Sequence, residues 1–261
     1  VIAAELSTMK RRPLGIGIIN FAYWLVKNDT TYQDPNLELI DEWAEAWSYS
    51  LIKSSANLAV EKGSCTGSLE TKYGQGITPN QTYKEDVDEL VKHKERQDWK
   101  GLRKQLAETG IRNSTLMALM PAETSAQISN STNGIEPPRS YVSIKQSKHG
   151  VLKQVVPGYP YYKNKYDLLW DQKSPQGYLK IMAVLQKYID QGISVNTSYN
   201  PEHFEDNKVP MSLMIKDLVM AYQFGLKQLY YFNTHDQSDD IKDEPLALSE
   251  IDDEDCDSCT I

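Results

Sequence analysis

Three groups of residues in this chain are of types and spacings that could do chemistry. The first is Cys256-Asp257-Ser258-Cys259, close to the carboxyl end. Two thiols at this spacing can close into a disulfide and reopen, passing two electrons each time. The same pair could be half a zinc site or an accident of composition. Zinc needs four ligands, and Cys65 with four scattered histidines does not complete a set. The acids beside the thiols should raise their pKa and slow their attack at neutral pH. The second group lies in Pro121-Ala122-Glu123-Thr124-Ser125-Ala126-Gln127-Ile128. If a strand gives way to a helix there, backbone amides and two hydroxyls converge on one point, which suits an anion. On spacing alone, an ordinary capping box is the simpler reading. The third is Tyr230-Tyr231. Tyrosine can pass an electron and a proton together, but paired aromatics on a buried strand usually belong to the core. Adjacent strand residues also point to opposite faces, so side-by-side rings would require the strand to bend or end there.

The elements that must position these groups read as an α/β pattern. Ile40, Ala44, Trp47, Leu51 and Leu58 recur at helical spacing and predict a long amphipathic helix over Leu37–Lys62, ended by Gly63. Further helices are expected over 82–94, over Trp99–Thr109 before Gly110, over 176–192 and over 211–224, the last with a stripe through Met211, Ile215, Leu218 and Tyr222. Residues 114–120, 193–197 and 228–233 read as strands. Strands alternating with helices predict parallel pairing, with ligands at the carboxyl ends of the strands. The glycines of Leu14-Gly15-Ile16-Gly17 lack the rest of a phosphate loop and are better explained by close backbone packing. Cys65 follows the first long helix in a turn-rich stretch and reads as structural. The polar, turn-rich run from Asn130 to Arg139 is elaborate enough to surround a site.

Composition divides the chain in two. Residues 236–261 hold eleven acidic residues, a single lysine and no apolar run, and are expected to form a flexible acidic tail. Residues 1–235 hold 27 basic and 25 acidic residues and can bury a substantial core. A body so nearly neutral is not expected to bind nucleic acid. No apolar stretch approaches the roughly 18 residues of a membrane span. Three cysteines without a framework fit a reducing, cytoplasmic setting.

Taken in order, the motifs resemble one family. Arg12-Pro13-Leu14-Gly15-Ile16-Gly17, Pro121-Ala122-Glu123-Thr124-Ser125-Ala126-Gln127-Ile128-Ser129, Thr132-Asn133-Gly134-Ile135-Glu136-Pro137-Pro138 and Leu229-Tyr230-Tyr231, followed by the terminal cysteine pair, look like the carboxy-terminal third of the large, catalytic subunit of class Ia ribonucleotide reductase. The resemblance implies the second half of a ten-stranded α/β barrel. It implies that Ala122, Glu123, Thr124 and Ser125 bind the diphosphate of a ribonucleoside diphosphate, which reverses the capping reading. It implies that Tyr230 and Tyr231 are a stacked pair relaying a radical from the small subunit, and that Cys256 and Cys259 re-reduce an active-site disulfide and are themselves reduced by thioredoxin or glutaredoxin. The family's tail cysteines are often spaced more widely than here. The stripe on 211–224 resembles the helix that helps receive the small subunit's tail. No cofactor or metal is expected on this chain; the di-iron tyrosyl-radical centre would belong to the small subunit.

Some of the family's parts are missing from these residues. The radical cysteine, set in Asn-x-Cys-x-Glu, and the two cysteines of the active-site disulfide have no counterpart here. The chain is therefore expected to work only with an amino-terminal partner. Its start at Val1 rather than Met, inside a helical pattern, favours a trimmed product, whereas its intact relay and tail favour the carboxy-terminal half of a split large subunit, of the kind known in some bacteriophages; the split subunit is the preferred expectation. A regulatory or interaction module that binds the small subunit without catalysis is the alternative; retention of both tyrosines and both tail cysteines argues against it.

Overall fold

The structure, a computed structural model, describes residues 1–147 and 150–236. In chain order its helices and strands are α1 (Ile2–Arg11), α2 (Phe21–Lys27), α3 (Leu37–Lys62), α4 (Trp99–Thr109), α5 (Glu123–Ile128), β1 (Val142–Ser147), β2 (Gly150–Val155), α6 (Tyr159–Tyr162), α7 (Gln176–Gln186), β3 (Val195–Tyr199), α8 (Met211–Gln223) and β4 (Leu229–Thr234), with short 3-10 turns between them. The best-capped helices have local causes. Asn36 accepts from Leu39 N and Asp98 from Gly101 N, satisfying first-turn amides of α3 and α4. Gly63 and Gly110 stop the same helices at positive φ.

Outside the hairpin of β1 and β2, the extended segments run parallel and lie side by side in chain order. Ile16 bridges Met117, Leu119 bridges Ile193, and β3 pairs with β4, all in parallel. Backbone bonds from Ile16 N to Leu116 O (2.7 Å) and from Ser194 N to Leu119 O (2.8 Å) join the row. Residues 114–120, expected as a full strand, thus contribute two isolated bridges flanked by such bonds. The glycines nearby act by close approach: a Cβ on Gly17 would lie 2.8 Å from Met120 Sδ and 3.2 Å from the Ala118 carbonyl. The antiparallel hairpin of β1 and β2 has no counterpart in the sequence-based reading.

Helix α3 packs on α4 and α7, and α7 packs on α8. Phe21, Leu25, Ile40, Ile52, Leu106, Met182 and Ile193 are among the residues of one continuous core between helices and strands. Two helical expectations fail on α3 and α7. The buried face of α3 runs through Ile40, Ala44, Ser48, Ile52 and Ala56, while Trp47 and Leu51 are half-buried and Leu58 is exposed. Helix α7 ends at Gln186, six residues early, and the carbonyls of Ile189 and Gln191 beyond it accept from Gln186 Nε2 and Lys227 Nζ.

The helix expected over 82–94 is also absent; only a 3-10 turn over Glu85–Glu89 forms. The segment instead wraps a buried ionic cluster. Asp41 on α3 accepts from Lys187 Nζ (2.9 Å), Tyr188 OH (2.9 Å) and Arg96 Nη1 (2.8 Å). Glu45 accepts from Arg96, Trp99 Nε1 and two backbone amides. Lys187 also donates to the Val91 carbonyl and lies 3.4 Å from Asp88, tying the segment to the cluster. Breaking such a cluster strands a charge. Lys187→Ala is expected to cost about 3–5 kcal/mol in a denaturant or thermal unfolding series; a change within about 0.5 kcal/mol would contradict the role assigned to this lysine.

Candidate functional site

Helix α5 begins where the 114–120 segment ends, at the carboxyl end of that parallel segment. Its N-cap is Ala122, which has no side chain able to cap, so Thr124 and Ser125 lie in the first turn and neither caps it. This overturns the capping-box reading. Glu123, Thr124 and Ser125 are exposed, and their amides belong to a helical turn without intrahelical carbonyls to meet. The turn is fixed from outside: Ala122 N donates to Asn133 Oδ1 at 3.1 Å, and Gly134 sits beside Ala122 N with φ of 52°. Asn133 and Gly134 are in turn held near α2, where Asn20 N donates to Thr132 O and Phe21 N to Gly134 O. Two motifs distant in sequence thus form one local structure.

Tyr230 and Tyr231 lie on β4, the last strand of the parallel row. They are 53% and 57% exposed, so they are not core residues. Their ring centroids are 4.3 Å apart with planes inclined at 59°, a contact that is not a parallel stack. The adjoining Tyr230 hydroxyl pushes the Tyr231 phenol above its ordinary pKa. The next residue, Phe232, stacks on Tyr199 of β3 at 5.1 Å and pins the strand.

Glu136 stands between the two groups. Its carboxyl accepts from Asn196 Nδ2 at 2.6 Å, and Asn196 Oδ1 accepts from Tyr231 N at 3.0 Å. Burial pushes the Glu136 carboxyl up, against the opposing pull of the Asn196 bond and Arg139; Glu123 nearby adds to the rise. Glu136 is quoted in the sequence motifs without a role, and Asn196 was missed. The available signal was an asparagine within an otherwise strand-forming Val195-Asn196-Thr197.

Helix α8 exposes Met211, Ile215, Leu218 and Tyr222, the stripe expected from sequence, together with Val219; Asp217 and Ala221 are its buried residues. Cys65 is buried and free, and burial pushes its thiol up. Cys256, Cys259 and nearly all of the acidic tail fall outside the described residues. Among the described residues, no helix is long and apolar enough to cross a membrane.

A row of parallel strands flanked by helices, with an exposed helical turn at one strand end and a tyrosine pair on the outer strand, defines a part of an α/β barrel. The chain belongs to the ribonucleotide reductase family: the model of the "Ribonucleotide reductase, barrel domain" matches residues 1–161 and 158–232. Among its relatives, the ribonucleoside-diphosphate reductase subunit alpha of Haemophilus influenzae is 53% identical over 94% of this chain and 32% of the relative. The ribonucleoside-diphosphate reductase 1 subunit alpha of Salmonella typhimurium is 52% identical over 98% of this chain and 34% of the relative. The subunit alpha of Enterobacteria phage T4 is 43% identical over 97% of this chain and 33% of the relative. The chain therefore spans about a third of the length of these curated relatives.

Proposed function

We propose that this chain forms part of the large subunit of a ribonucleoside-diphosphate reductase, which reduces ribonucleoside diphosphates to their deoxy forms by radical chemistry. The observation that carries the reading is the close ring contact of two exposed tyrosines on the outer strand. A merely structural pair has no need of two adjoining phenol hydroxyls, whereas a step that moves an electron and a proton together does.

In this reading the small subunit, with its di-iron tyrosyl-radical centre, delivers the radical to Tyr230 and Tyr231. The exposed stripe of α8 contributes to its docking. The first turn of α5 holds the substrate diphosphate through the amides of Glu123, Thr124 and Ser125 and the hydroxyls of Thr124 and Ser125. An amino-terminal part of the large subunit supplies the radical cysteine in Asn-x-Cys-x-Glu and the active-site dithiol. Cys256 and Cys259 return electrons to that dithiol from thioredoxin or glutaredoxin, in the cytoplasm.

The experiment uses the assembled reductase containing this chain, with its small subunit, and follows conversion of ribonucleoside diphosphate to deoxy product. Ser125→Ala and Thr124→Ala each remove a hydroxyl from a doubly charged ligand, so KM for the diphosphate should rise roughly 10- to 100-fold. Little change is expected in the unfolding midpoint, because both side chains are exposed. An assembled complex that makes no deoxy product would sink the reading. Unchanged KM in both variants would remove the diphosphate site from α5.

A further inference from the structure

The contact between Tyr230 and Tyr231 needs a cause, because neighbouring residues on a regular strand point to opposite faces. The register of β3 and β4 supplies it. Val195 pairs with Leu229 and Thr197 with Phe232, so one residue of β3, Asn196, faces two of β4, Tyr230 and Tyr231. That two-for-one count is a β-bulge, which twists the longer strand and re-aims its side chains. The two phenol rings meet at the bulge.

A bulge also breaks the ladder and leaves a backbone group without its usual partner. Here the Tyr231 N–H donates to the side chain of Asn196, at 3.0 Å, in place of a β3 carbonyl. An asparagine side chain is a poor substitute for a carbonyl unless something stops it turning. The Glu136 carboxyl does so by accepting from the other end of the same amide at 2.6 Å. The chemistry fixes which end is which: a backbone N–H can only donate, and a carboxylate can only accept. Glu136 is itself held in place. Its amide donates to the Asn133 carbonyl, Pro137 and Pro138 follow it, and the carbonyl of buried Ile135 before it accepts from Tyr32 OH at 2.8 Å.

We infer that Asn196 and Glu136 are positioning residues that hold the β-bulge in which Tyr230 and Tyr231 meet, so that the radical relay depends on this amide–carboxyl link. The inference rests on the relay reading given above. Both act through the backbone of Tyr231. The loop that carries Glu136 also carries Asn133, which fixes the α5 turn. One rigid loop therefore registers the tyrosine pair against the turn proposed to hold substrate.

The test exchanges the two functional groups across the link. Asn196→Asp alone puts two acceptors face to face where 2.6 Å now separates donor and acceptor. Adding Glu136→Gln restores a donor opposite the new carboxylate and keeps the wild-type charge of the pair, while residue 196 still accepts from Tyr231 N. Each variant is studied in the assembled reductase, with 3-aminotyrosine at position 231 to trap the radical and electron paramagnetic resonance to count it. The single variant should lower radical yield and kcat together by roughly 10-fold or more, with KM for the diphosphate unchanged. The double variant should recover both to within about 3-fold of wild type.

A single variant with wild-type radical yield, or a double variant no better than the single, overturns the inference. If only the amount of assembled complex falls and recovers, while radical yield per complex is constant, the link serves folding alone and the inference also fails. Should the single variant not assemble at all, Glu136→Ala, which frees the amide without placing like charges together, is judged by the same radical yield and the same criteria. Tyr231→Phe separates this from the reading beneath it. If that change leaves turnover intact, the relay itself is wrong; if it abolishes turnover while the exchange has no effect, only the positioning role falls.

Discussion

Tyr231→Phe, or equally Tyr230→Phe, is expected to abolish deoxyribonucleotide formation while leaving a folded, assembled and substrate-binding enzyme. The argument is one of a single atom. Phenylalanine keeps the ring, and each ring is about half exposed, so the change removes little packing and should move stability by less than about 0.5 kcal/mol. It removes only the hydroxyl, on which proton-coupled oxidation of the ring depends. Without an O–H there is no proton to leave with the electron, and the ring becomes far harder to oxidise. Loss of turnover by at least about 1,000-fold, a barrier increase of about 4 kcal/mol, is expected. The measurement is steady-state product formation beside diphosphate affinity and the unfolding midpoint of the same preparations. Turnover above a tenth of wild type in both variants would remove the relay from this strand.

The helices whose ends are set by neighbouring residues were legible in the sequence. Helices α3 and α4 have their predicted bounds because Asn36, Asp98, Gly63 and Gly110 act within a few residues of the ends they cap. The parallel order of the strands was legible too, because it follows from helices that separate them. What failed depends on partners far along the chain. Which face of α3 is buried is decided by Arg96 and Lys187, which draw Asp41 and Glu45 inward and turn Leu58 to the surface. The same cluster ties down residues 82–94 through Asp88 and the Val91 carbonyl, contacts that no local pattern reveals. Charged residues at helical spacing look alike whether they face water or a buried ion.

The candidate site divides along the same line. The first turn of α5 and the adjacent tyrosines stand out as short motifs. The reading that the two tyrosines could lie side by side only where the strand bends or ends points to a disturbance there without giving its form, a bulge. Its location depends on register between β3 and β4, and its support on a contact between residues 60 positions apart. No local pattern encodes either. Asn196 breaks a strand-forming run and Glu136 precedes two prolines, and only their meeting gives them a shared purpose.

The second large effect is expected at the cysteine pair. In thiol–disulfide exchange one thiolate attacks the disulfide to form a mixed disulfide, and a second thiolate displaces the bound sulfur; the substrate disulfide gains two electrons and the attacking pair becomes a disulfide. Two thiols are therefore needed, and either serine substitution stops the cycle. Cys256→Ser or Cys259→Ser should leave the pre-reduced enzyme able to make product once per active site and then halt when thioredoxin or glutaredoxin is the reductant. A small dithiol that reaches the active-site disulfide directly should restore turnover in both variants. That rescue distinguishes a lost electron supply from damage to the catalytic centre, which no reductant would repair. The flanking Asp255 and Asp257 disfavour the thiolate, so the wild-type rate under limiting thioredoxin should climb as pH rises from neutral toward the ordinary thiol pKa of about 8.5. Undiminished steady-state turnover of either variant with thioredoxin would show that electrons enter by another route, and the terminal dithiol would then lose its function in this chain.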